Sequence, residues 1–394
     1  MTVSAPANDD ATRAPSEGTA RRLQSFDEVL AHVEDRHHRK LPDEVVHLAD
    51  LAAIEGEVIR LPSGRELALN TWSQRQLASL LGIRWDRFFE NTTPSERAEQ
   101  ITTRLHRTTE SKKLRAYGPK SPGDRGELRA ILAPSFTAID DIRLFAAMKK
   151  MAPSALTRFA FLRMEVTDSA SFYHAITREP VSLDGDELHP GFLLKNSETG
   201  GSALSIDDAW FRKVCSNGLM LQVGGKRALY RTHRHIETEA LEAALVLTLA
   251  RFPERWTEGM RLLRGAKEML VKHPSDAIEA MLDDASIPRE LVRAAQGFAV
   301  IDRASTAYDI VQSVTRAAHE QNHDPHLRFQ LERLAGEYLV QNVPLDASVW
   351  SARATRHWTA WPSCTHAPLR TRSAASSAVR SSAKSEPGSR CSRS

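Results

Sequence analysis

Glycine-containing turns divide residues 189–235 into short pieces. The polar loop 196–202 contains a glycine pair, a second turn ends at Gly218, and a basic segment follows at 226–235. Glycine at such turns permits a positive φ or the close approach of another group. This part of the chain is therefore predicted to fold as short strands joined by tight turns. The residues assigned to the turns as a structural motif are Asn196, Gly200, Gly201, Cys215, Asn217 and Gly218.

The remaining patterns predict the α+β class, with a mixed, mainly antiparallel sheet, flanking helices and a helical C-terminal third. Capping boxes formed by Ser25 with Glu28 and by Thr93 with Glu96 begin two helices, and Ser73 is expected to cap another. Period-two patterns predict strands at 58–61, 66–69, 113–117, 127–133, 159–166, 172–177 and 192–195. Helical periodicity predicts helices at about 237–251, 256–271, 276–284, 288–298, 305–321 and 325–341.

Four regions follow from these patterns. Residues 1–22 are polar and lack an apolar core, which predicts a disordered leader and not a signal peptide. Residues 23–236 form an α+β body, and residues 237–343 form a helical region packed on it. No stretch has the apolar length needed to span a bilayer, so a cytoplasmic protein without a membrane partner is expected.

The tail at 344–394 departs from the rest of the chain in composition. Residues 351–394 hold eight Lys and Arg against one acid, so the net charge of +3 for the whole chain leaves −4 on residues 1–350. A basic disordered arm for nucleic acid is one interpretation of the tail. Loss of the natural reading frame near residue 344 is the other, because GC-rich genes read out of frame give such Arg, Ser and Ala mixtures.

The three cysteines limit the chemistry that the chain can carry. Cys364 and Cys391 lie in the tail, so Cys215 is alone in the remainder of the chain. A single thiol excludes a disulfide framework and a cysteine-based zinc site there. Cys215 is therefore expected to serve as a small apolar residue.

Cations accumulate between Arg104 and Arg129, where the local net charge is +5. Such residues on a helix end, a strand and a loop can neutralise several phosphates, and an aromatic ring offers a stacking face. A second basic group at 226–235 would extend this surface into one groove if its strand neighboured that of Arg129. A solvated positive face is the alternative. The predicted nucleic-acid contacts are Arg104, Arg107, Lys112, Lys113, Arg115, Tyr117, Arg129, Lys226, Arg227 and Arg231.

Two further patterns suggest other sites. His319, Glu320 and His323 match H-E-x-x-H, in which two histidines one helical turn apart bind zinc and the glutamate activates water. Asp324-Pro325 disfavours helix where His323 would have to be helical. The loop 196–202 could present backbone N–H groups to a phosphate, but it lacks the lysine of a Walker motif, so a structural hairpin turn is expected.

Several blocks of sequence occur in an order and spacing that are more specific than any single block. They lie at 67–72, 76–78, 81–83, 129–132, 136, 139–140, 196–200, 214–219, 233–235 and 331–337. Together they resemble domain of unknown function 932 (DUF932), a bacterial plasmid- and phage-borne family, over about residues 40–342. The resemblance implies a setting in DNA transactions on mobile elements, but it carries over no activity and no catalytic residues.

These observations predict a non-catalytic DNA-binding protein, with single-stranded DNA favoured, that acts in DNA maintenance or recombination. No cofactor is expected. A metal-dependent hydrolase at His319, Glu320 and His323 is the first alternative. A protein-binding inhibitor of a host defence enzyme is the second, since an acidic body is a feature of DNA mimics.

Overall fold

The fold consists of two mostly antiparallel β-sheets with flanking helices, which confirms the predicted α+β class. The structure, a computed structural model, describes residues 24–151, 156–212, 218–221, 227–233, 237–283, 286–321 and 324–343. All of these residues lie in one compact unit. Within the described ranges, no helix combines the length and apolar character needed to cross a bilayer.

Six strands of the described chain form the N-terminal sheet. They are β1 (Glu44–His47), β2 (Ala52–Ile54), β3 (Val58–Arg60), β4 (Glu66–Leu69), β5 (Ser111–Tyr117) and β6 (Gly126–Leu132). Their order in the sheet is β1-β5-β6-β4-β3-β2. Adjacent strands are antiparallel except β4 and β6, which run parallel. The hairpin predicted around residues 58–69 is therefore present as β3 and β4.

Helices α2 (Thr71–Leu81), α3 (Trp85–Glu90) and α4 (Pro94–His106) accompany this sheet. The capping box of Thr93 with Glu96 begins α4 as predicted. The predicted cap of α2 is wrong by three residues, because the side chain of Asn70 accepts the N–H of Ser73 and starts the helix earlier. The apolar sides of α2 and α4 pack on the sheet around Leu77, Ile101 and Leu128.

Seven strands of the described chain form the central sheet. They are β7 (Phe159–Val166), β8 (Ser171–Thr177), β9 (Val181–Leu183), β10 (Asp186–Asn196), β11 (Leu204–Arg212), β12 (Gly218–Leu221) and β13 (Leu229–Arg231). The main order is β12-β11-β10-β8-β7, with β13 paired to β11 and β9 to β10. β10 is longer than the predicted 192–195. It continues through Gly191, where a Cβ would lie 2.0 Å from the carbonyl oxygen of Ala175.

One face of the central sheet packs against helices α1 (Phe26–His38), α5 (Asp141–Lys149) and α6 (Thr238–Ala250). The capping box of Ser25 with Glu28 begins α1 as predicted, and the helix ends at His38. Buried side chains including Val29, Phe145 and Leu245 fill this layer.

The C-terminal helices are α7 (Phe252–Glu268), α8 (Pro274–Asp283), α9 (Arg289–Ile301), α10 (Ala307–Glu320) and α11 (Pro325–Asn342). Their shared core includes Trp210 and Leu188 from the central sheet. Phe329 of α11 joins a smaller apolar cluster with Phe172 and Phe211 on that sheet. The helical third therefore shares buried side chains with the body.

Candidate functional site

Arg115 on β5 and Arg129 on β6 lie inside the protein, whereas the sequence predicts them as nucleic-acid contacts. Their exposed fractions are 5% and 6%. Both contact Glu198, in the loop that joins β10 to β11. This loop is a hairpin connection, as expected for residues 196–202, and it brings the two sheets together.

Three donors surround the carboxylate of Glu198, whose residue is 4% exposed. Lys40 Nζ donates to Oε1 at 2.5 Å, the Asp141 N–H donates to Oε1 at 2.9 Å, and Arg129 Nη1 donates to Oε2 at 2.9 Å. Burial alone would raise the pKa of Glu198, but Arg129, Lys40 and Arg36 outweigh it and hold the pKa well below its usual range. The carboxylate is therefore ionised and charge-compensated at neutral pH.

The guanidinium of Arg115 is fully engaged in the same cluster. Nε donates to Asp43 Oδ1 at 2.9 Å, Nη2 to Asp140 Oδ1 at 2.8 Å, and Nη1 to the backbone oxygen of Glu198 at 2.7 Å. A phosphate would have to replace these buried partners, which is unfavourable for a charge already out of water. Contrary to the expectation from the sequence, Arg115 and Arg129 therefore lie in the interior and are engaged with buried partners.

Further buried polar groups extend this network toward α1 and α5. Asn196 Nδ2 donates to Asp141 Oδ1 at 2.7 Å, and the Tyr173 hydroxyl donates to Asp141 Oδ2 at 2.8 Å. Arg36 pairs with the same carboxylate at 3.3 Å. The Glu198 cluster comprises Arg36, Lys40, Asp43, Arg115, Arg129, Asp140, Asp141 and Glu198. Its compensated charges indicate a structural junction between the sheets.

Tyr117 cannot offer the predicted stacking face. Its ring is buried between two guanidinium groups, with Arg39 4.6 Å and Arg129 4.1 Å from the ring centroid. Cation–π contacts of this kind occupy both the ring and the cations. The prediction of base stacking on Tyr117 is therefore wrong.

Two other predicted contacts are half-buried and engaged. Lys113 Nζ donates to the backbone oxygen of Phe136 at 2.6 Å. Arg227 lies 3.6 Å from Asp207 and 5.2 Å from the ring centroid of Tyr230. Lys226 lies outside the described residues.

The remaining predicted contacts stay at the surface. Arg104, Arg107 and Arg231 are exposed, and Lys112 is half-buried beside Glu110, 2.5 Å away. The predicted single groove is not formed, because the strand of Arg231 belongs to the central sheet and that of Arg129 to the N-terminal sheet. The two basic segments therefore cannot act as neighbouring strands.

The glycines of the predicted structural motif lie in tight surroundings. Gly200 has a φ of +78°, and a Cβ there would lie 2.7 Å from Leu132; a Cβ at Gly201 would lie 2.5 Å from the Ser169 oxygen. Gly218 begins β12. Cys215 and Asn217 lie outside the described residues.

The H-E-x-x-H segment does not lie on one helix. α10 ends at Glu320 and α11 begins at Pro325, while His323 lies outside the described residues. The zinc motif requires both histidines on one face of a continuous helix. Among the described residues, no three His, Cys, Asp or Glu side chains are grouped to hold a metal ion. The described part of the segment is therefore not one continuous helix, and the hydrolase at His319, Glu320 and His323 stays a prediction without support among the described residues.

His319 instead belongs to a second buried ionic network that the sequence does not predict. Its Nε2 donates to Glu332 Oε1 at 2.7 Å, and its Nδ1 accepts from Arg163 at 3.3 Å. Burial lowers the pKa of His319, against the opposing effect of Glu332. The Glu332 cluster comprises Arg163, Glu165, His174, His319, Arg328 and Glu332. It joins the central sheet to α10 and α11.

Four exposed arginines lie on or directly beside α3 and α4. Arg104 Nη1 donates to the backbone oxygen of Leu81 at 3.1 Å, which holds the end of α4 against the α2–α3 connection. Among the described residues, the guanidinium groups of these four arginines form no ion pair. We call Arg84, Arg87, Arg104 and Arg107 the arginine corner.

Aromatic groups accompany the arginine corner. The half-buried rings of Trp85 and Phe88 on α3 lie 6.3 Å apart and pack partly on the core of the N-terminal sheet. Helix α3 was not predicted from the sequence, although residues 84–89 contain arginines together with Trp and Phe. Exposed cations beside aromatic rings can contact phosphates and stack with bases.

Comparison with known proteins finds no matching family model, no matching curated protein and no matching solved structure. The resemblance to domain of unknown function 932 therefore stays a prediction.

Proposed function

We propose that this protein binds single-stranded DNA without catalysing a reaction on it, and that the arginine corner is the contact surface. The supporting observation is the hydrogen bond from Arg104 to the backbone oxygen of Leu81, which holds the end of α4 against the end of α2, three residues before Arg84. Cations in such an arrangement neutralise successive phosphates and release counterions.

Single-stranded DNA fits this surface better than duplex DNA. Trp85 and Phe88 are only half-buried, and each directly follows an exposed arginine in the sequence. Unpaired bases can reach such rings, whereas bases in a duplex are already stacked on each other. Contacts of this type carry little sequence preference, because they involve phosphates and ring faces. The resemblance to a mobile-element family supports DNA maintenance or recombination as the setting.

Fluorescence anisotropy with labelled single- and double-stranded oligonucleotides, at low and moderate salt, tests the proposal on the full chain. We expect tighter binding of the single strand and an affinity that falls as salt rises. The triple variant Arg84→Ala, Arg104→Ala, Arg107→Ala should lose at least about tenfold in affinity, and its salt slope should flatten by about 2. Every variant keeps the same tail, so differences in affinity between variants measure the contribution of the arginine corner.

Arg293→Ala is the matched control, because Arg293 is also an exposed helical arginine but lies on α9. It should bind DNA like the unchanged protein. Two results would overturn the proposal. One is the absence of DNA binding at low salt. The other is a loss of affinity per removed charge that is equal in the triple variant and in the control.

A further inference from the structure

Helix α6 is apolar on both its inner and its outer side. Leu241, Leu245 and Leu249 are buried in the core beneath the central sheet. The opposite side exposes four apolar residues at helical spacing, and Leu247 among them is 59% exposed. We call this set, Ala240, Ala243, Leu247 and Ala250, the outer stripe. Surface helices normally place polar residues on this side.

The two ends of the outer stripe carry opposite charges. Glu239 precedes it and Arg251 follows it, and both side chains are exposed. Neither forms an ion pair with another described residue. The helix therefore presents an apolar centre with an uncompensated acid at one end and an uncompensated base at the other.

We propose that the outer stripe pairs with the same stripe of a second copy of this chain, with the two α6 helices antiparallel. A two-fold axis at the level of Leu245 places Ala240 opposite Ala250 and Ala243 opposite Leu247. The same axis brings Glu239 of one copy to the level of Arg251 of the other. A single axis thus satisfies both the apolar and the charged positions, as an isologous interface requires.

The side-chain sizes suit this arrangement. Alanines allow the two helix backbones to approach closely, and each Leu247 fills the space left above the partner's Ala243. Removing this surface from water supplies the driving force, and the two Glu–Arg pairs select the antiparallel orientation. One helix stripe is smaller than the roughly 800 Å² per partner of a standard interface, so a concentration-dependent dimer is expected.

Sedimentation velocity of the full chain, from roughly 1 µM to 1 mM, measures the pairing. The unchanged protein should shift from monomer to dimer across this range. Leu247→Glu should remain monomeric. Leu270→Glu is the matched control, because Leu270 is 77% exposed but lies after α7, outside the outer stripe. Circular dichroism confirms that both variants fold.

Charge exchange tests the antiparallel orientation. Glu239→Arg or Arg251→Glu alone places like charges opposite each other and should weaken pairing by at least about threefold. The two substitutions together restore opposite charges across the axis and should restore pairing. Any one of three results would overturn the proposal. The unchanged protein could stay monomeric throughout the range, or the dimer could survive Leu247→Glu. The third result is a double variant that pairs more weakly than both single variants.

Discussion

Glu198 is the residue at which the two sheets meet. Its loop belongs to the central sheet, and its carboxylate binds Lys40, next to β1, and Arg129 on β6. A buried carboxylate is tolerated only when cations and hydrogen-bond donors compensate its loss of hydration. Once the partners are in place, removing the carboxylate charge leaves the cations buried without compensation.

Glu198→Gln should therefore lower the free energy of unfolding by about 3–5 kcal/mol. Glu110→Gln is the control, because the Glu110 carboxylate pairs with Lys112 at the surface, where an ion pair contributes only about 0–1 kcal/mol. Urea unfolding followed by circular dichroism measures both. A loss below about 1 kcal/mol in Glu198→Gln would contradict the structural role of the cluster.

Gly259 on α7 lies in close contact with the central sheet. A Cβ on Gly259 would lie 2.8 Å from Trp210 Nε1, and the Trp210 ring is buried in the sheet core. Gly297 on α9 is a useful contrast, since a Cβ there meets nothing within 4 Å. The same residue type therefore has opposite roles on two helices.

Gly259→Ala should destabilise the protein by about 1–3 kcal/mol, because the added methyl group must displace a packed ring. Gly297→Ala should stabilise it by about 0.5–1 kcal/mol, since alanine restricts the unfolded chain and favours helix. Thermal and urea unfolding of both variants measure the difference. A shift of the same sign in both would show that α7 does not pack on Trp210 as described.

The first residues of the helices show which helix starts the local sequence can predict and which it cannot. Thr93 begins α4 because its capping box is complete within four residues. Asn70 begins α2 in preference to Ser73 because distant groups fix the start, with Asn70 Nδ2 donating to Glu127 and Trp72 Nε1 donating to the Thr199 oxygen. Helix α3 lacks a side-chain cap at Arg84, so no local signal marked it.

Across the whole molecule, buried histidines and carboxylates couple stability to pH. Burial and Arg163 lower the pKa of His174 to about 4, and burial and Lys195 lower the pKa of His326 to about 4. Between the ordinary value of 6.5 and pH 4, the unfolded chain binds protons that the folded chain does not. The free energy of unfolding therefore decreases as the pH is lowered through this range. Against the raising effect of burial, hydrogen-bonding and cationic partners hold the pKa of Glu165 far below 4.5, so its stabilisation is lost at still lower pH.

His174 and His326 should therefore lower the free energy of unfolding as the pH falls from 7 to 4. Asp207, whose pKa burial raises to about 6, acts in the opposite direction in this window. His326→Gln should remove about 1–2 kcal/mol of the decrease between pH 6.5 and 4, after allowance for solvent screening. Urea unfolding at a series of pH values measures the slope, with His106→Gln, at an exposed histidine, as the control. Identical slopes in His326→Gln and the unchanged protein would contradict the prediction.

The α+β class, the strands of the β3–β4 hairpin and the C-terminal helices could be predicted from the sequence, because caps, turns and apolar periodicity act within a few residues. Which charged side chains remain at the surface depends on tertiary contacts. Arg104 and Arg115 carry the same side chain in one basic segment, yet Arg104 is exposed and Arg115 is buried among carboxylates. Those carboxylates come from distant parts of the chain, so local charge counts could not separate a binding arginine from a structural one.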